Sequence, residues 1–449
     1  MEQVKIHPVD EKLPLWQLFV YGLQHVLAMY SGAVAVPLIL AGALHLEKTQ
    51  LIYIINADLF TCGVATLIQT LSFGPYIGSK LPIMQGCTFA AVTTMIMIGG
   101  AEGGGLAGLQ AVYGSVIIAG LICFLVSKYF SKMLRFFPPV VTGTVITIIG
   151  ISLLPVAIRW VGGGNPTAPD FCDPSHILLS AAVLCIILFF YRVFTGFLSN
   201  VAVLIGLIIG TIISISLGIV DFSSVGTSAM FGITTPFAFG LPTFDAASIA
   251  AMTIVMLVVM AETTGDVIAV GEIVDKPINE KVLGNALRAD GFSTMLGGIF
   301  NAFPYTAFAQ NIGLVSLTGV RSRYVVAMGG VILMFLGTLP KLAAVVASVP
   351  NSVLGGAGLA MFGMVAASGI KTLSKIDFDE SCNMMVVAVS VGIALIPLGV
   401  PTFYTKFPSW AQLILTSGIT MGSVVAIVLN IILNGAKKKD GKIAHREYL

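Results

Sequence analysis

The sequence predicts an all-α polytopic membrane protein with fourteen transmembrane helices, and three observations predict it: composition, apolar runs and the placement of charges. Of the 449 residues, 57% are hydrophobic and 10% are charged, whereas a soluble domain carries about 25% charged residues. Polar side chains are too few to cover so apolar a chain in water, so lipid must surround it. This composition excludes soluble enzymes, nucleic-acid-binding proteins and secreted disulfide scaffolds.

Apolar runs bounded by glycine, proline or charged residues mark the candidate spans. They lie at 15–42, 50–73, 81–99, 106–127, 134–157, 177–194, 199–219, 247–271, 284–301, 304–318, 324–346, 352–370, 383–400 and 409–434. Because their number is even, both termini are expected on the same side of the membrane.

The basic residues predict the orientation. With both termini in the cytoplasm, the outer loops hold only Lys48, Arg159, Lys341 and Lys406, and the other 19 of the 23 Lys and Arg residues face inward. This bias follows the positive-inside rule. The first twelve residues lack the features of a signal peptide and are expected to form a cytosolic tail, while the basic residues of 437–446 are expected to meet anionic lipid.

The six cysteines show no CxxC spacing, and four of them lie in apolar runs, where thiols act as small hydrophobic groups. We therefore expect neither a redox site nor a metal site.

The two sets of seven spans resemble two copies of one unit. The segment PPVVTG at 138–143 opens the fifth span, and PNSVLG at 350–355 opens the twelfth, 212 residues later. The third and tenth spans both begin with an apolar-Pro step, at 81–82 and 303–304. Because each copy has an odd number of spans, the second copy starts on the opposite side of the membrane and is inverted. Carriers with inverted repeats have their sites where interrupted helices of the two copies meet. Coincidence among apolar segments is the alternative.

Spans three and ten are short and are expected to be interrupted at Gly86 and Gly313. Broken backbone at membrane depth is tolerated only where protein or a water-filled cavity satisfies its amides. We therefore expect short broken helices or strands facing a central cavity. Polar side chains replace leucine in these two spans at Thr88, Thr93, Thr94, Gln310, Asn311, Ser316 and Thr318.

Ionisable groups deep in a membrane span are costly and usually functional. Glu262 and Asp266 lie one turn apart on the eighth span, and a structural carboxylate is the alternative for each. Asp290, in the ninth span, either forms an ion pair at a helix entrance or takes part in proton coupling. His25 is either a hydrogen-bonded packing residue or part of a site, and Asp58 is expected to be structural.

Glu262 and Gln310 together complement a flat heterocycle. A glutamine amide offers an acceptor and a donor side by side, while a carboxylate offers acceptors only. Oxidised purines and uracil present the matching N–H and C=O edge, whereas a sugar needs more polar groups and a simple anion is repelled. Phe89 and Phe308 flank the breaks and either stack on such a ring or make ordinary core and lipid contacts.

These residues resemble the nucleobase-ascorbate transporter family, also called the second nucleobase-cation symporter family. Residues 310–319, QNIGLVSLTG, fit its signature Q/E-N-x-G-x-x-x-x-T followed by a basic residue or glycine. Segments 24–30 and 300–306 are most similar to those of bacterial xanthine and uric acid permeases. Uracil carriers usually have Glu at the position of Gln310.

The resemblance implies a seven-plus-seven inverted repeat divided into two domains. Residues 1–133 and 241–346 would form a substrate-carrying core, and residues 134–240 and 347–449 would form a gate that ends in the basic tail. It also implies homodimers and proton symport, with no cofactor besides the co-transported proton.

The resemblance also implies roles for individual residues. Glu262 and Gln310 would bind the substrate, Asn311 and Thr88 would shape the pocket, and His25 would support it. Because a small Thr88 is compatible with the 8-oxo group of urate, xanthine and urate remain joint candidates.

The expected function is import of xanthine or uric acid across the bacterial cytoplasmic membrane by elevator-type alternating access. Asp266 and Asp290 would maintain the site or the coupling, and either Glu262 or Asp290 would carry the proton, because burial favours a neutral carboxyl group. No nucleophile, base and orienting group lie together in the sequence, so an enzyme is not expected. A uracil permease and an anion exchanger of the same fold are the alternatives.

Overall fold

Long apolar runs form helices in the computed structural model, which describes residues 7–133, 136–378 and 382–435. The α-helices of the first half are α1 (Leu15–Ala43), α2 (Lys48–Leu71), α3 (Val92–Ala101), α4 (Gly105–Met133), α5 (Pro139–Val161), α6 (Pro174–Val193), α7 (Phe197–Asn200), α8 (Ala202–Ser216) and α9 (Ser223–Thr227). Those of the second half are α10 (Ala246–Ile273), α11 (Glu280–Ile299), α12 (Ala309–Thr318), α13 (Arg323–Leu336), α14 (Pro340–Ala347), α15 (Asn351–Leu373), α16 (Asn383–Gly399), α17 (Ser409–Leu415) and α18 (Gly418–Leu429). Short 3₁₀ turns cover Pro8–Asp10 and Phe89–Ala91, and a π turn covers Asn430–Asn434.

Within the described residues, seven helices are long and apolar enough to cross a membrane. They are α1, α2, α4, α5, α6, α10 and α15. Helices α13 and α14 form a further apolar pair that bends by 84° at the break between them. The remaining predicted runs coincide with α11, which has 20 residues, and with shorter helices. The protein is confirmed as a helical polytopic membrane protein, while the count of fourteen spans stays a prediction.

Two short strands interrupt the third and tenth predicted spans. Strand β1 (Gln85–Cys87) pairs antiparallel with β2 (Tyr305–Ala307), with Gly86 opposite Thr306 at the centre. Beyond the strands, the amide of Thr88 donates to Pro304 O at 2.9 Å, and the amide of Phe308 donates to Met84 O at 3.0 Å. The N–H and C=O groups of each extended segment are therefore hydrogen-bonded by the other segment, as backbone at membrane depth requires.

The predicted interruption at Gly313 is wrong. Gly313 lies inside the continuous helix α12, and the break comes earlier, at Pro304 and the strand that follows it. Proline has no backbone N–H to continue a helix, whereas an isolated glycine inside a helix costs only about 1 kcal/mol relative to alanine. Gly86, in contrast, lies in β1 as expected.

The two Pro-led helices pack against each other in a reciprocal way. A Cβ at Gly143, near the start of α5, would lie 3.1 Å from the backbone N of Leu373 at the end of α15. A Cβ at Gly355, near the start of α15, would lie 2.5 Å from the backbone N of Val161 at the end of α5. Small residues at such crossings let membrane helices approach closely. The start of each helix thus packs against the end of the other, which is the arrangement that an inverted repeat produces.

The remaining helices pack in two sets. In one set, α4 packs against α10 and α11, and α13 packs against α1 and α2. In the other, α15 packs against α5, α6 and α8, while α16 and α18 pack against each other and against α5. Helix α10 reaches the second set through α5, α17 and α18. The face of α10 between the sets is therefore a candidate location for a site.

Candidate functional site

The strand pair places the starts of two short helices together in the interior. The 3₁₀ turn Phe89–Ala91 and α3 follow β1, and α12 follows β2. Thr88 caps the first of these, because its Oγ accepts the amide of Ala90 at 3.2 Å. Helix N-termini carry a partial positive charge. Two of them at one crossing favour polar or anionic ligand groups, as in carriers with discontinuous helices.

Phe89 and Phe308 meet at Gly32 of α1. A Cβ at Gly32 would lie 2.9 Å from Cε1 of Phe308 and 3.8 Å from Cζ of Phe89. Phe308 also covers Gly86, where a Cβ would collide with its ring. Phe89 packs edge-on against Phe362 of α15, with ring centroids 5.8 Å apart. The structure therefore brings the two predicted aromatic residues together at the strand crossing.

His25 and Asn311 are joined across α1 and α12. Asn311 Nδ2 donates to the backbone O of His25 at 2.9 Å and lies 3.1 Å from His25 Nδ1. Both residues are buried. Asn311 Oδ1 has no hydrogen-bond partner in the part of the chain that the structure describes. Buried polar atoms are rarely left unpaired, so this oxygen is available to a ligand.

Glu262 lies on the face of α10 that turns toward α5. It lines a narrow cleft with residues of α5 that include Val141, Thr142 and Val145. The cleft has room for about one water molecule, so this conformation leaves no space there for a purine. Glu262 Oε2 is buried and has no partner among the described residues.

Helix α10 is attached to the strand crossing. Thr263 Oγ1 lies 3.2 Å from Thr306 Oγ1 at the centre of β2, and α10 contacts β2, α12 and the turn Phe89–Ala91. Glu262 is the neighbour of Thr263 in the sequence. The carboxyl group of Glu262 therefore lies on an element that is held directly to the broken spans.

Asp266 and Asp290 form an acidic cluster with Glu262. The carboxyl group of Asp266 lies within electrostatic range of those of Glu262 and Asp290, and that of Asp290 lies within range of Glu262. Asp290 is fully buried and lies 3.3 Å from Nε2 of Gln69 through its Oδ1. Arg288 does not pair with it, because that side chain binds Tyr76 O and Asn285 Oδ1 instead. The described residues therefore do not support the ion pair that was one alternative for Asp290.

Gln310 lies in the first turn of α12, and its side chain is exposed. Over residues 7–133, 136–378 and 382–435, no hydrogen bond joins it to Glu262, and it does not line the cleft beside that residue. The structure therefore brings together His25 with Asn311, Phe89 with Phe308, and the three acidic residues. That Glu262 and Gln310 bind the same ligand stays a prediction.

A buried cluster around Asp58 was not foreseen from the sequence. Cys87 Sγ and Tyr305 Oη both donate to Asp58 Oδ1, and Cys62 Sγ lies 3.8 Å from Oδ2. The donor atoms of Asp58, Cys62 and Cys87 lie within 4.8 Å of one another, a spacing that could hold a metal ion. Three donated hydrogens already satisfy the carboxylate, so hydrogen bonding accounts for the cluster. The i, i+4 spacing of Asp58 and Cys62 was the one available signal.

Comparison with known proteins relates the chain to permeases. The model of the permease family matches residues 16–404. The chain is 48% identical to the xanthine permease of Bacillus subtilis (strain 168) over 92% of this chain and 93% of that protein. It is 44% identical to the uric acid transporter UacT of Escherichia coli (strain K12) over 95% of this chain and 88% of that protein.

Among solved structures, the transmembrane domain of a cyanobacterium bicarbonate transporter, BicA, is similar. It aligns with a TM-score of 0.56 at 16% identity, over 93% of this chain and 98% of that chain. At this identity the likeness concerns the fold alone.

Proposed function

Because the chain belongs to this permease family, the nucleobase-ascorbate transporter family, we propose that it imports a purine nucleobase by proton symport. The proposed substrates are xanthine, uric acid or both, and the proposed location is the bacterial cytoplasmic membrane. Two relatives that cover most of the chain at 44% and 48% identity are named for uric acid and for xanthine. Their names supply the substrate class that the proposal adopts.

The structural observation that carries the proposal is two buried acceptor oxygens without partners among the described residues, one in the first turn of α12 after β2 and one on α10, the helix held to the strand crossing through Thr263. Glu262 Oε2 and Asn311 Oδ1 are both unpaired among the described side chains. Oxidised purines are rich in N–H donors, and a buried acceptor left unpaired costs about 1–3 kcal/mol. Binding an N–H group at each oxygen removes that cost. The nearby rings of Phe89 and Phe308 offer apolar faces to a flat ligand.

Thr88 keeps both purines as candidates. Its hydroxyl oxygen accepts the amide of Ala90, so the side chain serves the local turn and occupies little space. A small residue at this position leaves room for the 8-oxo group that distinguishes urate from xanthine. We therefore keep xanthine and urate as joint substrates.

We propose that transport proceeds by an elevator-type movement of one helix set against the other. The cleft beside Glu262 lies between α10 and α5, which belong to different packing sets. Sliding at that cleft would carry α10 and the strand crossing together, because Thr263 and Thr306 are in contact. The proposed core is residues 1–133 and 241–346, the proposed gate is residues 134–240 and 347–449, and the gate would also form a homodimer contact.

The acidic cluster is the proposed element of proton coupling. Glu262, Asp266 and Asp290 lie in the interior, and no salt bridge of the described residues includes any of them. Three neighbouring carboxylates cannot all be ionised away from water without a large cost. A proton bound there lowers the cost of carrying the site through the membrane, which makes proton binding and substrate movement interdependent.

Competitive uptake tests the proposal. Cells that lack their own purine carriers would express the chain and take up radiolabelled xanthine. Unlabelled xanthine and urate are expected to compete, uracil is not, and a protonophore is expected to stop accumulation. Competition by uracil alone would indicate a uracil permease, and accumulation that ignores the protonophore would refute proton symport.

A further inference from the structure

A basic pocket lies away from the candidate site, at the end of the molecule where α4 ends and α11 begins. It encloses about 440 Å³ and includes the connection between α2 and β1. This volume is sufficient for a phosphate group and part of its attached alcohol. Its charged and aromatic lining is Tyr76, Lys128, Tyr129, Glu280, Lys281 and Arg288.

The lining carries an excess of positive charge. Lys128, Lys281 and Arg288 face one carboxylate, that of Glu280. None of the three basic side chains takes part in a salt bridge within the described part of the chain. Three cations around one pocket repel one another and focus a positive potential into it. An anion in the pocket relieves this repulsion.

Arg288 is held in place before any ligand arrives. Its Nη1 donates to Tyr76 O at 3.2 Å and to Asn285 Oδ1 at 3.0 Å. Asn285 in turn donates from Nδ2 to Pro75 O at 3.3 Å. A guanidinium fixed in this way loses little side-chain entropy on binding, and its planar fork suits the oxygens of a phosphate.

The aromatic residues of the pocket suit a membrane–water boundary. Tyr76 and Tyr129 are 64% and 57% exposed, and Lys128 Nζ lies 6.0 Å from the ring centroid of Tyr129. Tyrosines are enriched at the headgroup level of a bilayer, and the cation–π contact keeps the ammonium near the pocket. The same pocket therefore offers basic groups to a phosphate and ring surfaces to the apolar part of a lipid.

We propose that this pocket binds a phosphate-bearing anion, supplied either by the headgroup of an acidic phospholipid or by a soluble phosphate. The pocket is separate from the cleft beside Glu262, since its residues lie on α4, on the first half of α11 and on the connection after α2, and none of them lines that cleft. Occupancy by a lipid joins three segments of the proposed core at one point.

Native mass spectrometry of the purified protein tests this inference. The protein would be titrated with phosphatidylglycerol, with phosphatidylcholine and with inorganic phosphate. K128Q/K281Q removes two positive charges from the pocket, and K371Q/K375Q is its matched control because it removes two exposed charges near the end of α15. Phosphatidylglycerol is expected to bind wild type and K371Q/K375Q alike and to bind K128Q/K281Q roughly tenfold more weakly.

The three ligands distinguish the sources of the anion. Preference for phosphatidylglycerol over phosphatidylcholine, with no competition by millimolar phosphate, identifies the lipid headgroup. Competition by phosphate that is lost in K128Q/K281Q identifies a soluble anion. Equal binding of all ligands by both double variants would overturn the inference.

Discussion

The amide nitrogen of Asn311 makes two hydrogen bonds to His25, one to its backbone O at 2.9 Å and one to its ring Nδ1 at 3.1 Å. An amide nitrogen can only donate, so Nδ1 of His25 accepts and the ring proton lies on Nε2. This pair joins α1 to the start of α12. It also orients Asn311 so that Oδ1 remains free for a ligand.

Replacing His25 tests whether its ring hydrogen bond to Asn311, rather than its bulk alone, stabilises the site. His25→Phe removes the ring acceptor and leaves an Asn311 hydrogen unpaired, which costs about 1–3 kcal/mol in a buried site. We expect a lower unfolding temperature and slower xanthine uptake. His25→Asn retains an acceptor and is expected to recover part of both. The unfolding temperatures of the purified variants and their initial rates of xanthine uptake test this expectation. A His25→Phe protein that matches wild type in both would contradict the supporting role of His25.

Removing the charge of Glu262 tests the proposed ligand. Glu262→Gln keeps the size of the side chain but removes a charged acceptor, so we expect uptake to fall roughly a hundredfold or more. The matched control is Glu272→Gln, an exposed glutamate near the end of the same helix, which is expected to transport normally. Uptake would be normalised to the amount of protein in the membrane. Normal transport by Glu262→Gln would remove this residue from the site.

Gln310 tests how the ligand edge is recognised. Gln310→Glu replaces an amide donor by an acceptor, which repels a purine carbonyl group. We expect xanthine uptake to fall about tenfold and inhibition by uracil to increase. Gln310→Asn, which retains the amide, serves as the control. If competition by xanthine, urate and uracil is the same in all three proteins, the edge-recognition hypothesis is wrong.

The broken spans could be predicted from sequence because proline weakens a helix where it lies at the start of an apolar run. Pro82 and Pro304 lack a backbone N–H, and strands follow both. Proline alone does not decide the outcome, since α1 continues through Pro37. The acidic face of α10 was also predictable, since residues four apart share a helix face. Local rules of this kind need no knowledge of the rest of the fold.

Contacts between distant segments could not be predicted in this way. Asp58 meets Cys87 and Tyr305 only because β1 and β2 pair in one register, with Cys87 opposite Tyr305. A shift of one residue would turn these side chains to the other face. The exposure of the Gln310 side chain could not be predicted either, because it depends on how α12 packs and not on the sequence motif that contains Gln310.

The Asp58 cluster is expected to stabilise the strand crossing. Tyr305→Phe removes the O–H that donates to Asp58 Oδ1 at 3.0 Å, and we expect a loss of about 1 kcal/mol in unfolding free energy. Tyr53→Phe is the control, because its hydroxyl contacts Thr235 in an exposed position. The unfolding temperature in detergent should fall for Tyr305→Phe and change less for Tyr53→Phe. Equal values for the two would mean that the cluster does not support the crossing.

The elevator proposal predicts that a link across the cleft stops transport. Val145 of α5 and Val258 of α10 line this cleft together, so oxidation of V145C/V258C, in a background without exposed cysteines, should abolish uptake until a reductant restores it. The control pair is A157C/G358C, which joins α5 to α15 within one helix set, where a Cβ at Gly358 would lie 3.1 Å from that of Ala157. These positions are close enough for a disulfide, and linking them should leave transport intact because the set moves as a unit. Confirmed cross-linking of V145C/V258C with unchanged uptake would show that the two sets need not slide at this cleft.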